Sequence, residues 1–148
     1  MPELTVSEFA DRVSELMPLI SREFVKHQLM EFDKLKMTMP QFFVLDLVNR
    51  QGEAKMSDLA KFINVTTAAM TGIVDRLVKG GYAARVSEPG DRRIIKVKLT
   101  AKGSKAVRDM LQKRKEIIIK MFGFISQEER EEYLKILAHI HEHLREEK

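Results

Sequence analysis

The side chains best suited to chemistry in this sequence are cationic. Arg92 and Arg93 stand together in Ser87-Glu88-Pro89-Gly90-Asp91-Arg92-Arg93, flanked by two stretches of strand-forming content, Tyr82 to Val86 and Ile94 to Leu99. Two strands around a Pro-Gly turn form a hairpin. An arginine carried on the tip of a narrow ribbon suits a DNA minor groove, where the phosphate field is concentrated. Asp91 would repel phosphate if it faced DNA, so it is assigned to orienting an arginine through a bidentate pair.

The second cluster is His139-Ile140-His141-Glu142-His143. His139 and His143, four apart on a helix, make half a zinc site. No cysteine and no HExxH pattern supplies the rest, so solvated or interface histidines outweigh a metal site and no cofactor is expected. No nucleophile is paired with a base, no glycine loop cradles phosphate, and no carboxylates are paired in an apolar setting, which argues against an enzyme. The absence of cysteine excludes disulfides and thiolate chemistry.

The hairpin is preceded by a helix that Thr66 or Thr67 can cap and that Gly80-Gly81 can end. Met70, Ile73, Val74 and Leu77 form its apolar stripe. Its other face carries Ala68, Thr71, Gly72, Asp75, Arg76 and Lys79. Small residues permit close approach to a major groove, and threonine can address base edges by hydroxyl or methyl. Thr66, Thr67, Ala68 and Thr71 are therefore candidates for base contact, and Arg76 and Lys79 for backbone or base-edge contact. Ser57 begins a short preceding helix, with Leu59, Ala60 and Ile63 inward, and the Asn64-Val65 turn completes a helix-turn-helix. Lys55 and Ser57 lie where the first helix of such a unit crosses the DNA backbone, and an N-cap is the alternative role for Ser57.

These residues resemble the MarR family of winged-helix regulators. The wing signature stands as Asp91-Arg92-Arg93 through Leu99-Thr100, and Val74-Asp75-Arg76-Leu77 followed by Gly81 and Arg85 matches the helix-to-wing run. The resemblance implies a homodimer built from the terminal helices, binding double-stranded DNA, with small aromatic or phenolic effectors held where those helices meet the DNA-binding lobe. Peptide residues suited to such a pocket are His27, Phe32, Met37, Met39, Phe42 and Phe43. Simple core packing outweighs a pocket for the aromatics and methionines, as does a packing role for His27, three residues after Phe24 on an apolar stripe, and the effector pocket is the alternative.

Residues 5–32 form the first helix, started by the capping box Thr5-x-x-Glu8 and expected to break or kink near Pro18. After a polar connector from Lys34 to Met39, Thr38-x-x-Gln41 starts a second helix ending at Gly52, with Phe43, Leu47 and Val48 inward. Beyond Thr100, Val107, Leu111, Ile118 and Phe122 share one face. Following a break near Gly123, Ser126-x-x-Glu129 caps a last helix carrying Tyr133, Leu137, Ile140 and Leu144. At 148 residues and 44% hydrophobic content, one MarR-like domain spanning 1–148 is expected, mainly α. It comprises a winged helix-turn-helix lobe at 38–103 and dimerisation helices at 5–32 and 104–147. A winged-helix core needs only about 60 to 90 residues, so the terminal helices require a partner surface, most economically a second copy.

No apolar run approaches the roughly 18 residues of a membrane span, and the acidic, amphipathic start is unlike a signal peptide, so the cytoplasm is the expected location. Net charge is +4 overall, but residues 52–103 hold ten basic against five acidic side chains, so the excess sits on the helix and wing. The resulting expectation is a ligand-responsive repressor of a pseudo-palindromic operator. A winged-helix module that docks proteins without reading DNA is the alternative.

Overall fold

The computed structural model describes residues 3–147. In chain order the elements are α1 (Val6–Leu35), α2 (Met39–Gln51), β1 (Glu53–Lys55), α3 (Met56–Ile63), α4 (Thr67–Lys79), β2 (Ala83–Glu88), β3 (Asp91–Leu99), α5 (Ala101–Phe122) and α6 (Gln127–Glu146). The strands form one antiparallel sheet in the order β1-β3-β2. This is the mainly helical, winged helix-turn-helix class expected from the sequence. The chain forms two compact units, one through Lys113 and one from Arg114 onward. No helix among the described residues is long and apolar enough to cross a membrane.

Helix α1 starts as its capping box dictates, with Thr5 accepting from the Glu8 N–H and Glu8 accepting from the Thr5 N–H. It does not break at Pro18 but runs through it to Leu35. A proline forfeits its own bond to the carbonyl four residues back, while the flanking turns keep theirs. The helix stops at Lys36, whose left-handed backbone (φ 50°) turns its N–H onto the carbonyls of Asp33 and Phe32. The connector is accordingly shorter than the expected Lys34 to Met39.

Helix α2 is capped reciprocally by Thr38 and Gln41 and stops at Gly52, where φ is 81°. Its buried side is Phe42, Val44, Leu45 and Val48, with Leu47 packed at the edge. Phe43, expected inward, is exposed, because Gln41, Leu45 and Val48 centre the buried arc and Phe43, two residues from Leu45, falls on the opposite side of the helix. Strand β1 was not expected at all. Its three residues pair Glu53 with Lys98, Ala54 with Val97 and Lys55 with Lys96, covering the second edge of β3.

The core of the first unit gathers Leu59 from α3, Met70, Val74 and Leu77 from α4, Val97 from β3 and Val107 from α5 around the α2 face. The start of α5 is tied to the end of α4. Thr100 Oγ1 donates to the Gly81 carbonyl at 2.6 Å and Lys102 Nζ to the Gly80 carbonyl at 2.7 Å, with the ammonium 4.5 Å from the Tyr82 ring centre. Gly103 is required here, since a Cβ at that position would lie 1.9 Å from the Tyr82 carbonyl oxygen.

In the second unit, Ser126 and Glu129 cap α6 reciprocally, and the Phe122 and Tyr133 rings stack 5.4 Å apart. The apolar stripe of α6 at Tyr133, Leu137, Ile140 and Leu144 is exposed in the single chain. Ile118, expected on a buried face of α5, is exposed as well. The packed part of that helix is its first half, at Gly103, Ala106, Val107 and Met110.

Candidate nucleic-acid interface

Helix α4 exists because Thr66 caps it, its hydroxyl accepting from the Ala69 N–H at 3.1 Å, and because Gly81 supplies the left-handed turn (φ 79°) that follows. With Met70, Val74 and Leu77 fully buried, the opposite face, comprising Ala68, Thr71, Asp75, Arg76 and Lys79, is exposed. Gly72 shares that face, and a side chain there would meet nothing within 4 Å.

The threonine hydroxyls are not equivalent. That of Thr66 serves as the cap, and Thr71 Oγ1 donates to the Thr67 carbonyl at 2.9 Å, so the only hydrogen of the Thr71 hydroxyl is spent inside the helix. Thr67 and Ala68 lie exposed in the first turn.

Helix α3 begins one residue earlier than expected. The N-cap position is Lys55, without a side-chain cap, so Ser57 is an exposed first-turn residue rather than the cap. Lys55 is exposed at the junction of β1 and α3, and Asn64 (φ 60°) makes the turn into α4.

The wing hairpin is tighter than its composition suggests. Strands reach Glu88 and Asp91, leaving Pro89-Gly90 as the turn, with a register irregularity after Ser87. Arg92 and Arg93 are exposed and belong to β3. Asp91 organises the tip through the main chain: its Oδ1 accepts from the Arg93 N–H at 2.9 Å, in place of the expected guanidinium pair.

An arginine–carboxylate pair does exist, but between other residues that the sequence reading did not pair. Arg85 of β2 reaches Asp75 on the outward face of α4 at 2.5 Å and the Thr71 carbonyl at 3.4 Å. This offsets the one negative charge on the recognition face and fastens helix to wing. The signal was present in the sequence, because Asp75 and Arg85 are both members of the helix-to-wing run. At the wing base, Lys96 lies between Glu53 and Glu88, and Lys98 is 3.3 Å from Glu53. Hydrogen bonds from Lys96, then Lys98, hold the Glu53 carboxyl below its usual range, and those to Glu88, then Glu53, raise Lys96.

The candidate effector residues divide. Phe32, Met37 and Met39 line an open groove of about 810 Å³ beside α1, together with Arg22, Lys26 and Leu29. Phe42 is core, its ring 5.6 Å from that of Phe32, while Phe43 is exposed and His27 half-buried, and none of these three lines the groove. Arg22 and Lys26 were missed because they fall on the polar side of the α1 pattern. His139 and His143 are exposed on α6, and among the described residues no three metal-ligating side chains converge.

Helices α3 and α4 with their short turn, followed by the β2–β3 hairpin, define a winged helix-turn-helix DNA-binding protein. The family model described as MarR family matches residues 37–95. The chain is 36% identical over 111 residues to the uncharacterized HTH-type transcriptional regulator YfiV of Bacillus subtilis (strain 168), covering 73% of this chain and 69% of that protein. It is 33% identical over 101 residues to the HTH-type transcriptional repressor MdtR of the same organism, covering 68% and 65%. Among solved structures, the YusO protein from Bacillus subtilis superposes with a TM-score of 0.80 at 25% identity, covering 93% of this chain and 98% of that one. The chain thus spans about two thirds of the length of the curated relatives it matches. It belongs to the MarR family of non-enzymatic, DNA-binding transcription regulators.

Proposed function

We propose that this chain is a homodimeric repressor that reads a pseudo-palindromic operator and releases it when a small aromatic or phenolic effector binds. The observation that carries the reading is the exposed face of α4, whose single carboxylate, Asp75, is neutralised by Arg85. Each α4 enters a major groove, with Thr67, Ala68 and Thr71 at base edges and Thr66 fixing the helix start; Lys55, Ser57, Arg76 and Lys79 meet backbone, and the wing brings Arg92 and Arg93 to the adjacent minor groove. Thr71, its hydroxyl hydrogen committed, presents a methyl. Asp91 sets the wing tip.

Residues 38–103 are the DNA-binding lobe, and 5–32 and 104–147 make the dimer, within one functional domain working in the cytoplasm. The groove at Phe32, Met37 and Met39 receives the effector, which alters the separation of the two recognition helices. Because half-site spacing is fixed, a small change weakens binding. The repressor sense rests on the relative named as one.

The test is selection of binding sites from random duplex DNA by the purified chain, with a salt series on the enriched sequences. Two-fold symmetric sites with half-sites about one helical turn apart are expected. Enrichment of no sequence would refute operator reading and favour a protein-docking module.

A further inference from the structure

Helix α6 carries a cluster that the DNA-binding reading leaves unused. His139 and His143 stand four residues apart on it, so their side chains leave one side of the helix about 6 Å apart along its axis. At that spacing two imidazole nitrogens can close on a single ion at about 2.1 Å each, as the histidines of HExxH helices do. We infer that His139 and His143 form a chelating site for one divalent late-transition ion of the zinc, nickel and copper class. The pair supplies two protein ligands, and water completes the coordination. The inference is independent of the DNA and effector readings above.

The surroundings of the pair favour a cation. Glu142, Glu146 and Glu147 fall on the same side of the helix, and His143 Nε2 lies 3.4 Å from Glu147 Oε1. A carboxylate that holds one ring nitrogen orients the imidazole and leaves the other nitrogen for an ion. One turn earlier on this side, Lys135 is drawn toward Glu132, 3.9 Å away. The site occupies the last turns of α6, the negative end of the helix dipole. Both imidazoles are exposed, and His139 makes no hydrogen bond or ion pair among the described residues, so an ion displaces nothing there. His141, two residues from each, leaves the helix between Leu137 and Leu144 on the apolar stripe and cannot join them.

The two nitrogens converge only while residues 139–143 are helical. Ion binding and helix formation are therefore linked, and an ion that favours the helix stabilises the end of α6.

The test titrates the full chain, freed of metal by a chelator, with copper(II) and with zinc(II) in a buffer that binds neither. One ion per chain is expected, copper the tighter, as the order of affinities for nitrogen donors requires, with two nitrogens in its electron paramagnetic resonance pattern. His139→Ala and His143→Ala should each weaken binding at least about tenfold, because the second imidazole engages as an intramolecular partner. His141→Ala should stay within about twofold of the unaltered chain. All three positions are exposed, so the variants should keep the far-ultraviolet circular dichroism and Tm of the metal-free chain. Saturating ion should raise the Tm of the unaltered chain and not that of His139→Ala or His143→Ala. No saturable binding of either ion by about 1 mM would overturn the site. So would equal affinity in the unaltered chain and both alanine variants, or a loss in His141→Ala as large as in His139→Ala. Affinity undiminished in concentrated urea would overturn it too, since the unfolded chain does not hold the pair together.

Discussion

Thr71 shows how a single hydrogen bond decides what a residue can report. Its hydroxyl donates to the Thr67 carbonyl at 2.9 Å, so it has no hydrogen left for a base acceptor. What remains is a methyl, with open space beside it at Gly72. Thr71→Val keeps that methyl, and we expect the selected operator and the affinity to stay within about twofold. Thr71→Ser keeps the hydroxyl but loses the methyl, and should weaken binding by about fourfold per half-site, as burial of one methyl implies. Replacing thymine by uracil at the contacted position should cost the unaltered chain a similar factor and the serine variant nothing. Sensitivity of the operator preference to valine but not to serine would assign the contact to the hydroxyl instead. The residue type was legible in the sequence. Which of its groups is free was not, because that depends on a rotamer set by a carbonyl one turn away.

At the scale of elements, the wing is a three-stranded unit rather than a hairpin. Lys96 on β3 reaches Glu53 on β1 at 2.9 Å and also pairs with Glu88 on β2, tying both edge strands to the middle one. Glu53 is held below its ordinary value of 4.5, so its share of this tie is present above that value and is lost as pH falls through the lowered pKa. Lys96 is raised above 10.5, so its share is full below that value and is lost only as pH rises through the raised pKa. Both groups are only partly buried, so the effect is local rather than a large change in global stability. On acidification below about 4.5, amide exchange at Ala54 and Lys55, corrected for intrinsic rates, should accelerate relative to the β2–β3 ladder. Lys96→Met should abolish that difference, and an unchanged ratio in the unaltered chain would mean that the charges do not hold β1. The Pro-Gly turn made the β2–β3 hairpin readable, and capping boxes fixed the starts of α1, α2 and α6. Strand β1 was not readable because three residues carry no periodicity and its partner Lys96 lies 43 positions from Glu53. The same limit explains Phe43: adjacent phenylalanines give no local indication of which one faces the core.

For the whole molecule, the terminal helices pose an energetic problem that a single chain leaves unsolved. Leu134, Ile136, Leu137, Ile140 and Leu144 of α6 are 43–65% exposed, and Phe9, Leu16, Met17, Leu19 and Ile20 of α1 are 48–62% exposed. Contiguous apolar stripes of this kind are uncommon on monomers and mark interfaces. The spacing that reveals each stripe is local and was legible in the sequence, whereas a surface that would cover it leaves no such local pattern and was not. In the homodimer proposed above, a second copy would cover both stripes through a two-fold interface. A glutamate at Ile140 would place a charge in that interface at a cost no surface site would impose. Ile140→Glu should therefore shift sedimentation equilibrium from dimer toward monomer at micromolar concentration and should remove the concentration dependence of thermal unfolding expected of the unaltered chain. Operator affinity should fall by more than Arg92→Ala alone produces, since a monomer engages one half-site and forfeits the second. Dimer mass retained by Ile140→Glu, or a monomeric unaltered chain, would remove α6 from the interface and leave its apolar stripe to a different partner.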